Sequence, residues 1–578
     1  MALWRLLRDF FLRQRRAYGT AILCLLGVGL LNLTLPWWIG KAIDALRAGE
    51  LDQTGLLWRV ALILAVGVGL YGLRYQWRVR LFGTSYQVGV ELRDAFFAKL
   101  ARLDPGFFQS SRTGDLLARA TQDIDAVETA AGEGVLASFD GMLTLLLVLL
   151  AMFIGIDAPL AALALLPFPF MAWGFYRVAR RVQQRFGLAL AGFSALNDRT
   201  QEALSGLRML RQHALIEAEL DDFDARARSV ARADYQVQRT EARYEPIIFV
   251  ALSLATLLTL VMGSWRYLDG HITLGQLTSF SLYLVQLIWP MFAIGWCFNL
   301  LQRGEAGARR LEEVFAVPER IRDEGTRTPP DQADLSVYIP AFTYPQARQP
   351  ALQDVVIDLP AGDTLGIVGA TGSGKSTLLR LLLRQFPLEQ GCIRLGGVPL
   401  EDYRLADLRA QFAYVPQDPF LFARTLGENV ALSRPDATAG EIREALDAAA
   451  FGSDLAVLPQ GLDTPVGERG LTLSGGQRQR VALARALLSP APILLLDDTL
   501  SAVDTATEAR LLRTLATLQG RTTLIVSHRL SAVQQADEII VLDQGSLVER
   551  GRHAELLAAG GLYARLWNLQ QAEEASHD

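Results

Sequence analysis

Gly369-Ala370-Thr371-Gly372-Ser373-Gly374-Lys375-Ser376 combines residue types and a spacing suited to holding a polyphosphate. The glycines let backbone N–H groups turn inward around phosphate oxygens. Lys375 has the reach for the two outer phosphates, and the Ser376 hydroxyl is a hard oxygen ligand for Mg²⁺. Such a loop acts only in one context, between a buried strand and a helix N-terminus whose unpaired N–H groups add positive potential. Thr364-Leu365-Gly366-Ile367-Val368 before it is an apolar run that reads as that strand. The stretch beginning at Thr377, which closes the binding segment, reads as the helix.

Two further segments complete the chemistry. Ile493-Leu494-Leu495-Leu496-Asp497 is a hydrophobic strand ending in a carboxylate placed to hold Mg²⁺ through its water shell. Leu473-Ser474-Gly475-Gly476-Gln477 runs straight into a helix and offers a second N-terminus with free N–H groups. One γ-phosphate cannot easily occupy two such anion traps of a single chain. The economical reading is a dimer in which each nucleotide lies between one chain's glycine loop and the other chain's Ser-Gly-Gly.

The elements that must position these residues follow from composition. The chain has 578 residues, is 51% hydrophobic and carries a net charge of −5, so no global basic field points to nucleic acid. Cys24, Cys297 and Cys392 lie far apart and form neither a disulfide framework nor a metal cluster. Residues 1–16 alternate aromatics with arginines and predict an amphipathic helix at a membrane surface. Residues 17–303 hold six apolar stretches long enough to cross a bilayer, at about 18–39, 56–75, 136–155, 158–176, 246–268 and 274–300. The long intervals after the second and fourth read as charged helices, with tips near Ser111–Leu117 and Gly206–Ala214 reaching into the cytoplasm. Arg5–Arg16, Arg74–Arg80, Arg177–Arg185 and Arg303–Arg310 fall on one side, which places both termini there, in the cytoplasm. Asp140 lies within the third stretch. An interfacial position and a place in a translocation path both remain open for it. Residues 304–335 read as a linker, 336–570 as a soluble α/β domain, and 571–578 as a polar tail. Strands are predicted at Leu365–Val368, Phe412–Val415, Ile493–Leu496, Thr523–Val526 and Glu538–Leu542.

With these motifs in hand, the chain resembles an ATP-binding-cassette (ABC) exporter half-transporter over nearly its whole length. The resemblance implies a membrane all-α six-helix exporter domain joined to an α/β P-loop NTPase domain, working by alternating access with ATP and Mg²⁺. It implies individual roles as well. Tyr344 is similar to the aromatic that stacks on adenine. Gln417 matches the glutamine that touches Mg²⁺ and the attacking water, completing a metal set with Ser376 and Asp497. Val466–Gly470 matches the segment that meets the partner's cytoplasmic helices. Ser501-Ala502-Val503-Asp504 matches the loop that crosses the dimer interface, and His528 the histidine on the γ-phosphate. One position departs from the family: where it has a catalytic Glu after the Mg²⁺ aspartate, this chain has Asp498. A carboxylate one methylene shorter is set back by about 1–1.5 Å, and an ångström of misplacement can reduce rate about 10²-fold.

These readings give an ATP-driven exporter of an amphipathic or hydrophobic substrate in the cytoplasmic membrane, in contact with membrane lipids. Its partner is expected to be a second, related half-transporter that differs from it and supplies the usual base. The alternatives are a lipid flippase of the same build and a nucleotide-gated channel or regulator. Orientation is directly testable. A cysteine placed at Asp52 or Asp269 is expected to react with an impermeant thiol reagent on intact cells, and one at Arg112 or Arg211 is not. The reverse labelling pattern would overturn the inference from loop charge.

Overall fold

The computed structural model describes residues 2–50, 52–331, 333–345, 347–467, 470, 472–500, 503–517 and 520–577. The chain divides into two compact units, Met1–Lys99 with Gly114–Ala316, and Leu100–Thr113 with Val317–Asp578.

In the first unit α1 (Ala2–Arg13) precedes six long helices: α2 (Arg15–Arg47), α3 (Gln53–Arg102), α4 (Thr113–Phe153), α5 (Ala158–Ser205), α6 (Ile216–Leu268) and α7 (Leu274–Phe315). These are the six helices, among the described residues, that are long and apolar enough to cross a membrane. Five of the apolar stretches read from sequence fall inside one of them, and the third, 136–155, overruns the end of α4 at Phe153 by two residues. The helices run well beyond those stretches. At 1.5 Å per residue α3 is about 75 Å long, against about 30 Å of hydrocarbon. The turn after α3 falls earlier than the stretch Ser111–Leu117. Asp104 caps a short helix, Pro105–Ser110, by accepting from Phe107 N, and Pro105 occupies the first turn, where no N–H is needed.

Buried backbone groups in an apolar medium must find partners, and α2 with α7 shows how that is met. Pro36 lies inside α2 and has no N–H, so the Asn32 carbonyl one turn earlier loses its intrahelical donor. Gln286 Nε2 of α7 donates to that carbonyl at 3.2 Å. Tyr283 and Ser279, three and seven residues earlier on the same face, donate to Leu33 O at 2.7 Å and Pro36 O at 2.8 Å. Nearer the start of α7 the backbones touch. A Cβ on Gly40 would lie 2.5 Å from Gly275 O, and Asp44 accepts from both Gly275 N and the Thr273 hydroxyl. Within α7 the helical pattern breaks at Leu287, three residues before Pro290, as expected where a proline removes a donor.

Two boundaries differ from the sequence reading. The first third of the expected linker, Gly304 to Phe315, is the end of α7. Gly304, Ala308, Leu311 and Val314 recur at helical spacing and are buried, and Gly307 lies against the Asp123 backbone of α4. The charged residues between them hid this stripe. Residues 571–577, expected as a polar tail, continue the last helix.

The described residues of the second unit build a sheet of ten strands in the order β5-β4-β1-β2-β10-β9-β3-β8-β7-β6. The ranges are β1 Leu335–Phe342, β2 Leu352–Leu359, β3 Thr364–Gly369, β4 Cys392–Leu395, β5 Val398–Pro399, β6 Phe412–Val415, β7 Ile493–Asp497, β8 Thr522–Val526, β9 Glu538–Asp543 and β10 Ser546–Gly551. Strands β9, β3, β8, β7 and β6 are mutually parallel. Both faces of this half are covered. Leu494 and Leu496 enter one apolar cluster, Ile493 and Leu495 the other. That burial explains why these strands read as unbroken apolar runs. The remaining five pair mostly antiparallel.

The α2–α7 contact yields a prediction. Gln286→Leu strands the Asn32 carbonyl and is expected to destabilise the detergent-solubilised protein by about 1–3 kcal/mol. In a Pro36→Ala background, which restores the helical donor, the same change has a much smaller effect on Tm. Equal losses in both backgrounds would contradict the assignment.

Candidate functional site

The parallel strands all end at one edge of the sheet, and the site is assembled there. At the end of β3, Gly369 packs so closely that a Cβ would overlap the Leu542 carbonyl of β9. Gly374 caps α8 (Lys375–Leu382) with φ +99°, a left-handed conformation that favours glycine. The intervening Ala370, Thr371 and Gly372 are exposed, while Ser373 turns inward and is buried. Thr377 is buried in the first turn of α8 and accepts from the Tyr344 hydroxyl at 3.1 Å.

Lys375 is buried, and its Nζ donates to the Gly369 and Ala370 carbonyls, each at 2.8 Å. Burial pulls its ammonium below the ordinary lysine range, against the opposing fields of Asp498 and Asp497. Ser376 Oγ donates to Asp497 Oδ1 at 2.8 Å, so the two oxygens named in the expected metal set converge. Burial pushes the Asp497 carboxyl up, offset by hydrogen bonds from Ser376 and Tyr414. A polyphosphate would favour the charged ammonium, and a divalent cation the charged carboxylate.

Asp497 is 2% exposed and Asp498 6%. Asp498 has φ +48°, and its N–H donates to Val526 O at 2.8 Å. Its Oδ1 accepts the backbone N–H of His528 at 3.3 Å, linking the loops after β7 and β8. The His528 ring is half-buried and makes no hydrogen bond to the described residues. Gln417 lies exposed on the loop beyond β6, without a hydrogen bond to Ser376 or Asp497.

Tyr344 stands beside α8, edge-on to Phe342 and Phe386 at 5.1 and 5.0 Å between ring centroids. Arg380 donates to its hydroxyl at 3.3 Å. Tyr414 is a functional neighbour that sequence reading passed over. Its hydroxyl donates to Asp497 Oδ2 at 3.3 Å, and burial raises its pKa. The signal was present, as the one polar side chain in the short strand Phe-Ala-Tyr-Val.

The second anion trap is well formed but stands elsewhere on the unit. Ser474 caps α9 (Gly475–Leu488). It accepts Gln477 N at 3.2 Å, and Gln477 Oε1 accepts Ser474 N at 2.8 Å, a reciprocal capping box. Gln477 Nε2 and Arg480 both hold Asp454, which fixes the entry of the helix. Leu473 is buried beneath it. A Cβ on Gly475 would meet nothing within 4 Å, so this chain's own packing does not require glycine there. Val503 is buried, and Asp504 caps α10 (Thr505–Ala516) by accepting Thr507 N at 2.9 Å. Ser501, Ala502, Glu468 and Arg469 lie outside the described residues.

Six membrane-crossing helices joined to a P-loop domain with a serine-glycine-glycine helix cap define an ATP-driven membrane transporter. Comparison makes this specific. A family model described as ABC transporter transmembrane region matches residues 18–291, and one described as ABC transporter matches residues 352–501. The chain is 43% identical to the multidrug resistance-like ATP-binding protein MdlA of Escherichia coli (strain K12), over 100% of this chain and 98% of that one. It is 33% identical to the ATP-dependent lipid A-core flippase of Chromobacterium violaceum, over 96% and 95%. A solved bacterial Atm1-family ABC exporter with ATP bound superposes with a TM-score of 0.81 at 28% identity, covering 96% of this chain and 99% of that one. The chain therefore belongs to the ABC transporter family, as an exporter whose membrane domain and ATP-hydrolysing cassette are fused; half-transporters of this kind function as dimers.

Lys375 provides the direct test of the site. Lys375→Ala is expected to weaken ATP binding by about tenfold or more and to abolish transport, with membrane insertion unchanged. Unaltered ATP affinity would rule out the phosphate loop.

Proposed function

We propose that this chain is one half of a heterodimer that uses Mg²⁺-ATP to export an amphipathic or hydrophobic cargo across the cytoplasmic membrane. The termini and cassette lie on the cytoplasmic side, the side on which the basic loop residues cluster. In this reading Lys375 leaves the Gly369 and Ala370 carbonyls for the outer phosphates of ATP. Ser376 and Asp497 fit a Mg²⁺ ion, since both present hard oxygens. No group of three or more His, Cys, Asp or Glu among the described residues surrounds a metal position. That suits an ion that keeps water and phosphate oxygens in its shell. Bound there, Mg²⁺ neutralises charge on the phosphates. Gln417 joins the site as its loop closes, and Tyr344 receives the adenine. Ser474–Gln477 serve the other chain's nucleotide, which gives a reason for a glycine at 475 that this chain's packing does not supply. The loop Ser501–Asp504 crosses between the two chains, and His528 contacts the γ-phosphate.

The observation that carries the asymmetric reading is the seating of Asp498. Its short carboxylate accepts the His528 backbone N–H from a left-handed backbone position. A base must come within about 2.6–3.2 Å of the water it activates. One methylene short and tied to the His528 backbone, Asp498 makes the site on this chain slow. The signature of this chain remains intact and serves the partner's faster site. ATP retained at the slow site keeps the cassettes close while the other site turns over.

Cargo chemistry follows from a cavity of about 790 Å³ within the membrane unit, walled by Trp77, Trp289, Trp296 and Phe82. Asp140 lines it and accepts Trp289 Nε1 at 2.7 Å. Its position, about 20 Å along the helix from Phe153, favours a place in the path over an interfacial one. Aromatic walls set beside the charged Arg74, Arg78, Glu133 and Asp140 suit an amphipathic molecule. The name of the E. coli relative points to drug-like compounds and that of the C. violaceum relative to lipids. Stimulation of ATPase by a panel of lipids, peptides and dyes separates these.

Three mutations test the asymmetry. Asp498→Asn is expected to lower ATPase by no more than about threefold, whereas Glu→Gln at the partner's base lowers it by about 10²-fold or more. Ser474→Ala here reduces turnover more than Asp498→Asn does. A fully active homodimer, or near-complete loss of turnover on Asp498→Asn, would sink the proposal.

A further inference from the structure

The turn that carries His528 is held by an unusual set of anchors. Its ring makes no hydrogen bond to the described residues, so its direction depends on the backbone beneath it. That backbone is committed at nearly every polar group. Ser527 N donates to Ile367 O at 3.3 Å, His528 N to Asp498 Oδ1 at 3.3 Å, and Arg529 N to Ser527 Oγ at 3.0 Å. Two further groups, the His528 carbonyl and the Leu530 N–H, are both taken by one side chain. Gln570 Nε2 donates to His528 O, and Gln570 Oε1 accepts Leu530 N at 2.9 Å. Gln570 comes from α11 (Leu562–His577), the last helix, more than forty positions along the chain.

The same turn is fastened on its other side. Arg529 pairs with buried Glu508 of α10 and donates to Val503 O at 3.3 Å, and Ser531 Oγ donates to Glu508 Oε1 at 2.7 Å. That side is braced by an ion pair and two further hydrogen bonds. The Gln570 side rests on one amide, whose donor and acceptor match the two open backbone groups. A carboxylate or a thioether cannot replace both bonds.

We propose that Gln570 is a positioning residue for His528, so that the last helix sets how the histidine meets the γ-phosphate. This rests on the reading of His528 given above. A shift of about 1 Å in the turn misaligns the imidazole while leaving the phosphate loop untouched. The effect of losing Gln570 must then be confined to a nucleotide that has a γ-phosphate.

The test uses the full-length transporter in native membranes with its partner. Photoreactive 8-azido-ATP and 8-azido-ADP are bound, chased with unlabelled nucleotide, and cross-linked to this chain at intervals. Gln570→Met and Gln570→Glu are each expected to shorten ATP retention on this chain by about tenfold, the loss of one or two hydrogen bonds, with ADP retention unchanged. ADP retention also reports that the cassette is folded. His528→Ala is expected to produce the same pattern, and the double variant His528→Ala/Gln570→Met to lose nothing further. If His528→Ala leaves the difference between ATP and ADP retention intact, the role of His528 fails, and the proposal with it. If His528→Ala removes the difference but both Gln570 variants retain it, or shorten ATP and ADP retention alike, Gln570 has only a structural role and the proposal alone is overturned.

Discussion

Parallel strands force every strand-to-helix loop of a sheet to leave from the same edge, and the cassette depends on that constraint. Strands β3, β6, β7 and β8 end there, and they deliver the glycine loop, the Gln417 loop, Asp497 with Asp498, and His528 in turn. No single segment could hold both the lysine and the carboxylates. Adjacency comes from strand order. The hydrogen bond between Ser376 and Asp497 spans β8, which lies between their strands. Burial of both sheet faces keeps that edge rigid, because a slip of one residue would exchange the two apolar clusters.

The membrane unit answers a different constraint, the satisfaction of backbone polar groups where water is scarce. Pro36 breaks the ladder of α2, and side chains of α7 repair it. In α4 two π-helical turns, Arg119–Asp123 and Ala130–Gly134, widen the helix where α7 packs against it. Asp123 sits in the first of them, buried and paired with Arg310 of α7. Both devices place polar chemistry inside helix–helix contacts. The second lies beside the buried stripe by which α7 stays helical through residues whose composition reads as a linker.

Legibility in the sequence followed burial and locality. The five parallel strands read correctly because burial on both faces makes them continuous apolar runs. The antiparallel strands were not read: β2 alternates buried and exposed residues, and β5 is two residues long. The phosphate loop, Asp497 and the Ser474 cap were visible because each is a local motif whose spacing carries its chemistry. Asp498 was visible as a departure from a pattern, although its left-handed backbone was not. Gln570 could not be read at all. A glutamine in a polar helical stretch gains its meaning from two backbone groups of a distant turn. Tyr414 lay between these cases, marked by its polarity within an apolar strand and placed only by the neighbouring strand's register.

The contact between Gly40 and Gly275 has a mechanical consequence. Backbones in direct touch, with Asp44 tying the start of α7 to the end of α2, act as a pin rather than a sliding surface. Ser279, Tyr283 and Gln286 extend the hold on α2 up to the break at Leu287, so the first part of α7 is clamped and the rest is a free arm. A bend of about 10° at that break would sweep the Phe315 end through about 7 Å, given an arm of about 40 Å, while the clamped end hardly moves. The membrane unit thus holds a lever whose fulcrum is the break in α7, and displacement is largest where α7 ends.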